Sequence, residues 1–411
     1  MILPKPLRQT LLTPSIVKRL SALSWFSYPF IVFTLSRLFL TLVGYVAEVA
    51  LPSQSGNGFW QINAENLFLD IWARWDSSYY LNIVDAGYFF HPGEKSTVAF
   101  FPLYPLLVDL LNSLLQSPVL AGILVSNFCF LLALGFLYQL TKLELSEAAA
   151  RRTVFFLCIF PTSFFFSAVY TESIFLLFAL ASMYFARTKR WGWAGIMGAL
   201  CASSRIVGVI MWGVMGLEWL KHHGWQLTKI HKKTTWACLW PALRQDWRSL
   251  LAISATPLGL LSYMYFLLLN FSDATAFMTV QAAWGRESLG TLAILYRDFS
   301  GLSHQHLLSG QGDIWWHVIF DSSAFFLALG SSFFIWKRLG SSYALYVILS
   351  ALIPSLSSTQ SLMRYILGMF PVFMMLGLWS RNERLAELLK MLFPLLGGLF
   401  FALFVNWYFV A

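Results

Sequence analysis

Residues 191–220 read WGWAGIMGALCASSRIVGVIMWGVMGLEWL, with Arg205 and Glu218 as the only formal charges. A single straight helix of that length would run roughly 45 Å, well beyond the hydrocarbon core of about 30 Å. Both flanks are basic, with Lys189-Arg190 before the stretch and Lys221, Lys229, Lys232 and Lys233 after it. Lys and Arg collect in cytoplasmic loops, so the two flanks belong on one side and the stretch crosses an even number of times. This predicts a hairpin of two short limbs, 191–204 and 205–220, with its tip near Ser203-Ser204-Arg205.

The composition sets the same frame for the whole chain of 411 residues. Hydrophobic residues make up 58% and charged residues 11%, against roughly 45–50% and about 25% in soluble domains. A disordered chain, a secreted disulfide scaffold and an ordinary soluble enzyme are excluded. The apolar stretches are continuous over about 20 residues, which predicts membrane helices rather than the short alternating strands of a barrel. Hydropathy and charge together predict an all-α polytopic membrane protein with eleven spans, roughly 27–50, 119–140, 153–168, 171–187, 191–204, 205–220, 249–270, 316–336, 341–357, 363–380 and 391–410. The stretch 100–116, FFPLYPLLVDLLNSLLQ, is short and holds Pro102, Pro105, Asp109 and Asn112. It reads as an interfacial helix on the outer face.

With this topology 21 of the 28 Lys and Arg residues lie inside, six lie outside, and Arg37 falls within the first span. The formal charge of +9 is thereby accounted for without a nucleic-acid partner. The basic lead-in with Lys5, Arg8, Lys18 and Arg19 precedes an apolar run too long for a signal-peptide core, so the first span is read as retained. Cys129, Cys158, Cys201 and Cys238 form no CxxC, and structural disulfides are not expected. One membrane domain, 1–411, is expected, with outer loops at 51–118 and 271–315 and a basic cytoplasmic loop at 221–248.

Polar residues near the outer ends of the spans carry the functional argument, because a membrane-buried chain keeps few acids without a use for them. The first outer loop contains LDIWARWDSSYYLNIVDAGYFF, with Asp70, Arg74, Trp75, Asp76, Tyr79, Tyr80, Asp85 and Tyr88 in one short stretch. At helical spacing Asp76, Tyr79 and Tyr80 share a face, joined by Trp72. A carboxylate beside aromatic rings fits a sugar site in which the rings stack on pyranose faces and the carboxylate takes a hydroxyl proton. It equally fits a Trp/Tyr interfacial belt with ordinary loop acids. In FPTSFFFSAVYTES, Glu172 either begins a helix, where the dipole favours it, or is a second carboxylate on the same outer cavity. Arg205, Arg286 and Arg364 converge on the outer side, which suits a phosphate-bearing ligand or snorkelling to headgroups. The partner of Arg37 stays open between an intramembrane acid and a headgroup. His304, His306, Asp313 and His317 read as solvated loop residues rather than a metal site. No Walker A, GxGxxG or GxSxG is present, so nucleotide, nicotinamide and serine-hydrolase chemistry have no support.

The ordered set RWDSSYYLNIVDAGY, FFPLYPLL, FPTSFFFSAVYTES, ASSRIVGVI, QAAWGR and SLMRYILGMFP resembles the PIG-V family, the GPI mannosyltransferase 2-like enzymes and their bacterial relatives, from about residue 30 to 380. These belong to the GT-C glycosyltransferases. The resemblance implies a GT-C fold with a long first outer loop containing interfacial helices. It implies a polyprenyl- or dolichyl-phosphate-linked hexose donor, typically of mannose, and a lipid or glycolipid acceptor. It places the family's acid after the loop Trp on Asp76, its Tyr-x-Glu element on Tyr170 and Glu172, its small-residue-then-Arg element on Arg205, and its Arg-Tyr element on Arg364 and Tyr365. With the loop reading, this expects Asp76 as general base, Glu172 as a second catalytic acid, and Arg205 and Arg364 on the donor phosphate. Arg74, Trp75, Tyr79, Tyr80, Tyr170 and Tyr365 are expected to contact substrate. No cofactor is required, and a divalent cation beside Glu172 stays open. The rival reading is a lipid-linked-sugar transporter, which would more often show related halves and acids at the bilayer midplane. Compact loops and the C-terminal NWYFVA favour a bacterial plasma membrane over the endoplasmic reticulum, with the site on the non-cytoplasmic face.

Overall fold

The computed structural model describes residues 14–54, 61–63, 65–225, 231, 236, 239–286, 289–300 and 315–410, with side chains from 26 onward and, after the break at 300, from 318. Among these residues every regular element is helical. Helix α1 (Pro14–Ala50) leads into a loop region holding α2 (Leu67–Asp70), α3 (Ser77–Ala86) and α4 (Leu103–Leu115). There follow α5 (Pro118–Glu144), α6 (Glu147–Cys158), α7 (Glu172–Arg187), α8 (Trp191–Ser204) and α9 (Ile210–His222). The second half comprises α10 (Leu239–Ile253), α11 (Thr256–Phe271), α12 (Ala276–Thr279), α13 (Thr291–Ser300), α14 (Trp315–Arg338), α15 (Ser341–Ser355), α16 (Leu362–Tyr365), α17 (Phe370–Trp379) and α18 (Glu383–Val405).

The boundaries follow local chemistry. Ser117 is extended and Pro118 opens α5, where its missing N–H costs nothing. The Ser146 hydroxyl accepts from the Ala149 N–H at 3.2 Å, with Glu147 in the first turn of α6. Asn382 caps α18 by accepting from the Leu385 N–H. Gly340, at φ 108°, makes the sharp join between α14 and α15 in a region a side chain would strain.

By length and composition, Phe26–Ala50, Pro118–Glu144, Val318–Arg338 and Glu383–Val405 can each cross a membrane. Two bent pairs, α10 with α11 at 40° and Leu362–Gly368 with α17 at 82°, raise the number to six among the described residues. This is a multi-pass membrane protein, but several of the eleven expected crossings are short, broken helices. The expected 153–168 ends as a helix at Cys158, just before Pro161, and continues as a turn through Ser163–Phe166. The expected hairpin breaks where it should: α8 ends at Ser204, Arg205 is extended, and a 3-10 turn over Ile206–Val209 starts the second limb.

Helices α5, α7, α8 and α11 pack side by side in a row, α6 lies against both α5 and α17, and α1 lies against α18. Small residues set the close approaches, as is usual where lipid removes the hydrophobic drive. A Cβ on Gly195 would lie 1.9 Å from the Ala252 carbonyl oxygen, and one on Gly259 would lie 1.9 Å from that of Ala199.

Among the described residues Arg37 is answered by carbonyls and hydroxyls rather than by an acid. It is buried and donates to the Ser163 and Cys158 carbonyls at 2.9 and 3.1 Å and to the Ser163 and Ser167 hydroxyls. Its role is to satisfy carbonyls released where α6 stops, groups that would each cost several kcal/mol unpaired in a membrane. The rings of Phe130 and Phe166, stacked at 4.2 Å, complete the floor beneath the next turn, which carries the site.

Candidate active site

Two turns meet to build the site. In the first, the chain passes from α2 through Trp75, whose φ of 54° is rare for a bulky residue, and places Asp76 immediately before α3. Trp75 is held edge-on by Trp407 and Phe409, at 5.7 and 5.4 Å. In the second, the buried run 163–171 delivers Glu172 to the first position of α7. The turns are stitched together directly: the Val169 N–H donates to the Trp72 carbonyl at 3.0 Å. The Asp76 N–H donates to the Tyr170 hydroxyl at 3.1 Å, and that hydroxyl donates to the Arg74 carbonyl at 3.0 Å.

Four charged side chains then form one alternating chain. Arg205 Nη1 donates to Glu172 Oε1 at 2.9 Å, and Arg364 Nε lies 3.4 Å from the same oxygen. Arg364 Nη1 donates to Asp76 Oδ2 at 3.0 Å. Exposure differs sharply along it: Glu172 and Arg364 are buried, whereas the side chains of Arg205 and Asp76 are 21% and 32% exposed. The two ends are therefore the parts a ligand can reach. Glu172 Oε2 is buried with no hydrogen-bond partner.

Tyr365 sits at the centre of the cations. Its ring lies 4.9 Å from the Arg205 guanidinium and 5.4 Å from that of Arg364, and its hydroxyl accepts from Arg286 Nη2 at 3.3 Å. Arg286 also donates to Gln281 at 2.9 Å. These three arginines and two carboxylates leave one unit of positive charge in excess. Tyr79 stacks on Phe100 at 4.8 Å and lies 5.7 Å from Trp284, giving an aromatic wall beside Asp76. Burial, and then the Asp76 carboxylate, push the Tyr79 phenol up. Tyr80 is raised by burial first and by Glu172 second, and its hydroxyl lies 3.4 Å from that of Thr171. Both phenols thus stay protonated and act as hydrogen-bonding groups.

The structure brings together Asp76, Glu172, Arg205, Arg364, Tyr79, Tyr80, Tyr170 and Tyr365. It does not bring Arg74 there. That side chain is fully buried, bonds Asp70 at 2.7 Å and Glu48 at 3.0 Å, and donates to the Val405 carbonyl at 2.8 Å. Arg74 and Asp70 form an internal ion-pair cluster that fastens the first loop to α1 and α18. Trp72 is likewise turned away from the Tyr79 face and stacks on Phe401 at 4.6 Å in the core. Asp85 is exposed at the far end of α3, and Tyr88 donates to the Phe100 carbonyl. Arg364, expected on a phosphate, is engaged by both carboxylates.

Asp321 went unnoticed in the sequence. Its carboxylate accepts from the Ser361 N–H at 3.1 Å and the Met363 N–H at 2.7 Å, clamping the turn that delivers Arg364. The available signal was a lone acid inside the apolar stretch of α14. Trp284, within the quoted QAAWGR, was the other omission. Among the described residues no three His, Cys, Asp or Glu side chains come together as a metal site. His304, His306, Asp313, Cys238 and the His317 side chain lie outside the described residues.

The family model described as Mannosyltransferase (PIG-V) matches residues 26–276. That span contains Asp76, Glu172 and Arg205, while Arg286, Asp321 and Arg364 lie beyond it. The chain is 29% identical over 170 residues to GPI mannosyltransferase 2 of Drosophila melanogaster, covering 36% of this chain and 37% of that one. It is 30% identical over 157 residues to GPI mannosyltransferase 2 of Schizosaccharomyces pombe, covering 36% and 33%. The matches thus span about a third of the length of these relatives. Among solved structures, ArnT from Cupriavidus metallidurans bound to undecaprenyl phosphate is similar with a TM-score of 0.49 at 13% identity, covering 87% of this chain and 62% of that one. The apo oligosaccharyltransferase of Archaeoglobus fulgidus gives 0.47 at 13% identity, covering 93% and 56%.

Proposed function

The chain belongs to the mannosyltransferase (PIG-V) family, and on that premise we propose that it moves a hexose, mannose by family, from a polyprenyl- or dolichyl-phosphate carrier to a hydroxyl of a lipid or glycolipid acceptor. The site opens on the non-cytoplasmic face, with Asp76, Tyr79 and Tyr80 of the first loop at its edge. The observation that carries the reading is the alternating chain Asp76, Arg364, Glu172, Arg205, with its carboxylate end open beside an aromatic wall and its guanidinium end open beside Tyr365. A single excess positive charge suits a monoanionic phosphodiester, which would neutralise it.

In this mechanism Asp76 accepts the proton of the acceptor hydroxyl. The freed oxygen lone pair forms the new bond to the anomeric carbon as the bond from that carbon to the phosphate oxygen breaks, and the lipid phosphate leaves with the electron pair. One displacement inverts the anomeric centre through an oxocarbenium-like transition state. Arg205 and Arg286 stabilise charge growing on the departing phosphate. Arg364 aims Asp76 through its hydrogen bond to Oδ2. The acceptor hydroxyl becomes acidic as its bond to carbon forms, which is when Asp76 takes the proton. Tyr79 and Trp284 offer a stacking surface to sugar or acceptor. Glu172 bridges Arg205 and Arg364 through Oε1, fixing the two cations relative to each other.

The test is transfer in liposomes supplied with polyprenyl-phosphate mannose and a lipid extract, with Asp76→Asn alongside. A mannosylated lipid formed by the wild type alone supports both the class and the base. Movement of intact donor across the bilayer without any product would favour the transporter reading instead.

A further inference from the structure

On the basic side of the bundle, α10 presents an exposed face that meets no other helix among the described residues. Trp240 and Leu243 before the break at Asp246 and Trp247 and Leu251 after it are all exposed, Trp240 at 64% and Leu251 at 65%. The cations on this helix lie among them: the Arg244 guanidinium is 5.0 Å from the Trp240 ring and that of Arg248 is 5.8 Å from the Trp247 ring. The acid between them is turned the other way. Asp246 breaks helical geometry at φ −130° and accepts from Trp219 Nε1 at 2.8 Å and from the Ser249 hydroxyl. It also lies 3.5 Å from His223 Nε2. The outward face is therefore apolar and wholly cationic.

Behind this face, α9, α10 and α15 leave a cleft of about 760 Å³, lined by Trp212, Gly213, Gly216, Leu243, Leu250 and Leu345 among others. A Cβ built on Gly213 or Gly216 would meet nothing within 4 Å, so the glycines leave open space there. Leu239, Leu243 and Leu250 of α10 line the cleft, on the same helix that carries Arg244 and Arg248.

We propose that this is a binding site for one anionic phospholipid of the surrounding bilayer, with an acyl chain in the cleft and its phosphate between Arg244 and Arg248. The apolar lining refuses a free polar anion, the two arginines favour an anionic over a zwitterionic headgroup, and the tryptophans suit the headgroup boundary. The site is separate from Asp76 and does not depend on the transferase reading.

Native mass spectrometry of the detergent-purified protein, titrated with phosphatidylglycerol and in parallel with phosphatidylcholine, tests it. The wild type should retain phosphatidylglycerol roughly 30-fold more tightly, from two surface arginines. Arg244→Gln with Arg248→Gln should bring the two lipids within about three-fold, while the Lys pair at both positions keeps the preference. Gly216→Leu, which fills open space without a clash, should abolish the phosphatidylglycerol adduct. Equal retention of both lipids by the wild type overturns the proposal. So does an adduct that survives both the Gln pair and Gly216→Leu, or a protein dimer seen in place of the adduct.

Discussion

Substituting Asp76 and Arg364, singly and together, separates chemistry from architecture. Asp76→Asn keeps an amide oxygen that can still accept from Arg364 Nη1, and the position is 32% exposed. The expected loss of stability is about 1 kcal/mol or less, the range of exposed ion pairs. Turnover, in contrast, should fall by roughly 10²–10⁴, the usual contribution of a general base. Arg364→Gln inverts the pattern. It strips the buried Glu172 of one of two cations and leaves Asp76 unpaired, so the cost should approach the roughly 3–5 kcal/mol of breaking a buried pair. In the Asp76→Asn background that cost should shrink, because one carboxylate no longer needs neutralising; a coupling of about 0.5–3 kcal/mol is expected for residues in one network. Thermal unfolding in detergent reads the stability cycle and liposome transfer reads turnover. Turnover of Asp76→Asn within about ten-fold of wild type would remove it as base. Additive stability losses would show that the two side chains do not act as a unit.

Arg74→Leu should destabilise by about 3–5 kcal/mol, because it orphans the buried Asp70 and Glu48; with Asp70→Leu added, thermal unfolding should show partial recovery, and full activity without loss of stability would contradict the cluster. Asp321→Asn replaces one acceptor by a donor facing a backbone N–H, so Arg364 shifts and kcat falls by roughly 10–100-fold, with the donor KM unchanged in steady-state transfer kinetics. Trp284→Ala removes half of the wall beside Tyr79 and should raise the KM for donor or acceptor with little change in unfolding temperature.

The helical, membrane-spanning character and the break at Arg205 were legible because hydropathy and charge parity act through local segments. Asp76, Glu172, Arg205 and Arg364 stood out as charges in an apolar chain, and the structure brings the four into contact. Their roles were not legible. Arg74 and Arg364 look alike in sequence, each an arginine beside an aromatic residue. One is enclosed by Asp70, Glu48 and the Val405 carbonyl, and the other by Asp76 and Glu172. Asp70 stands one helical turn from Arg74, whereas Asp76 lies 288 positions from Arg364, a pairing no local pattern reports. Asp321 was passed over for the same reason: its partners are two backbone N–H groups 40 and 42 positions away.

Composition and hydropathy were enough to read a helical membrane protein with few charges, because burial in lipid penalises each of them. Only the tertiary structure decided which charge answers which. An ion pair is set by distances of about 3 Å between side chains, and packing alone brings α3, α7, α8 and the Ser361–Tyr365 turn that close.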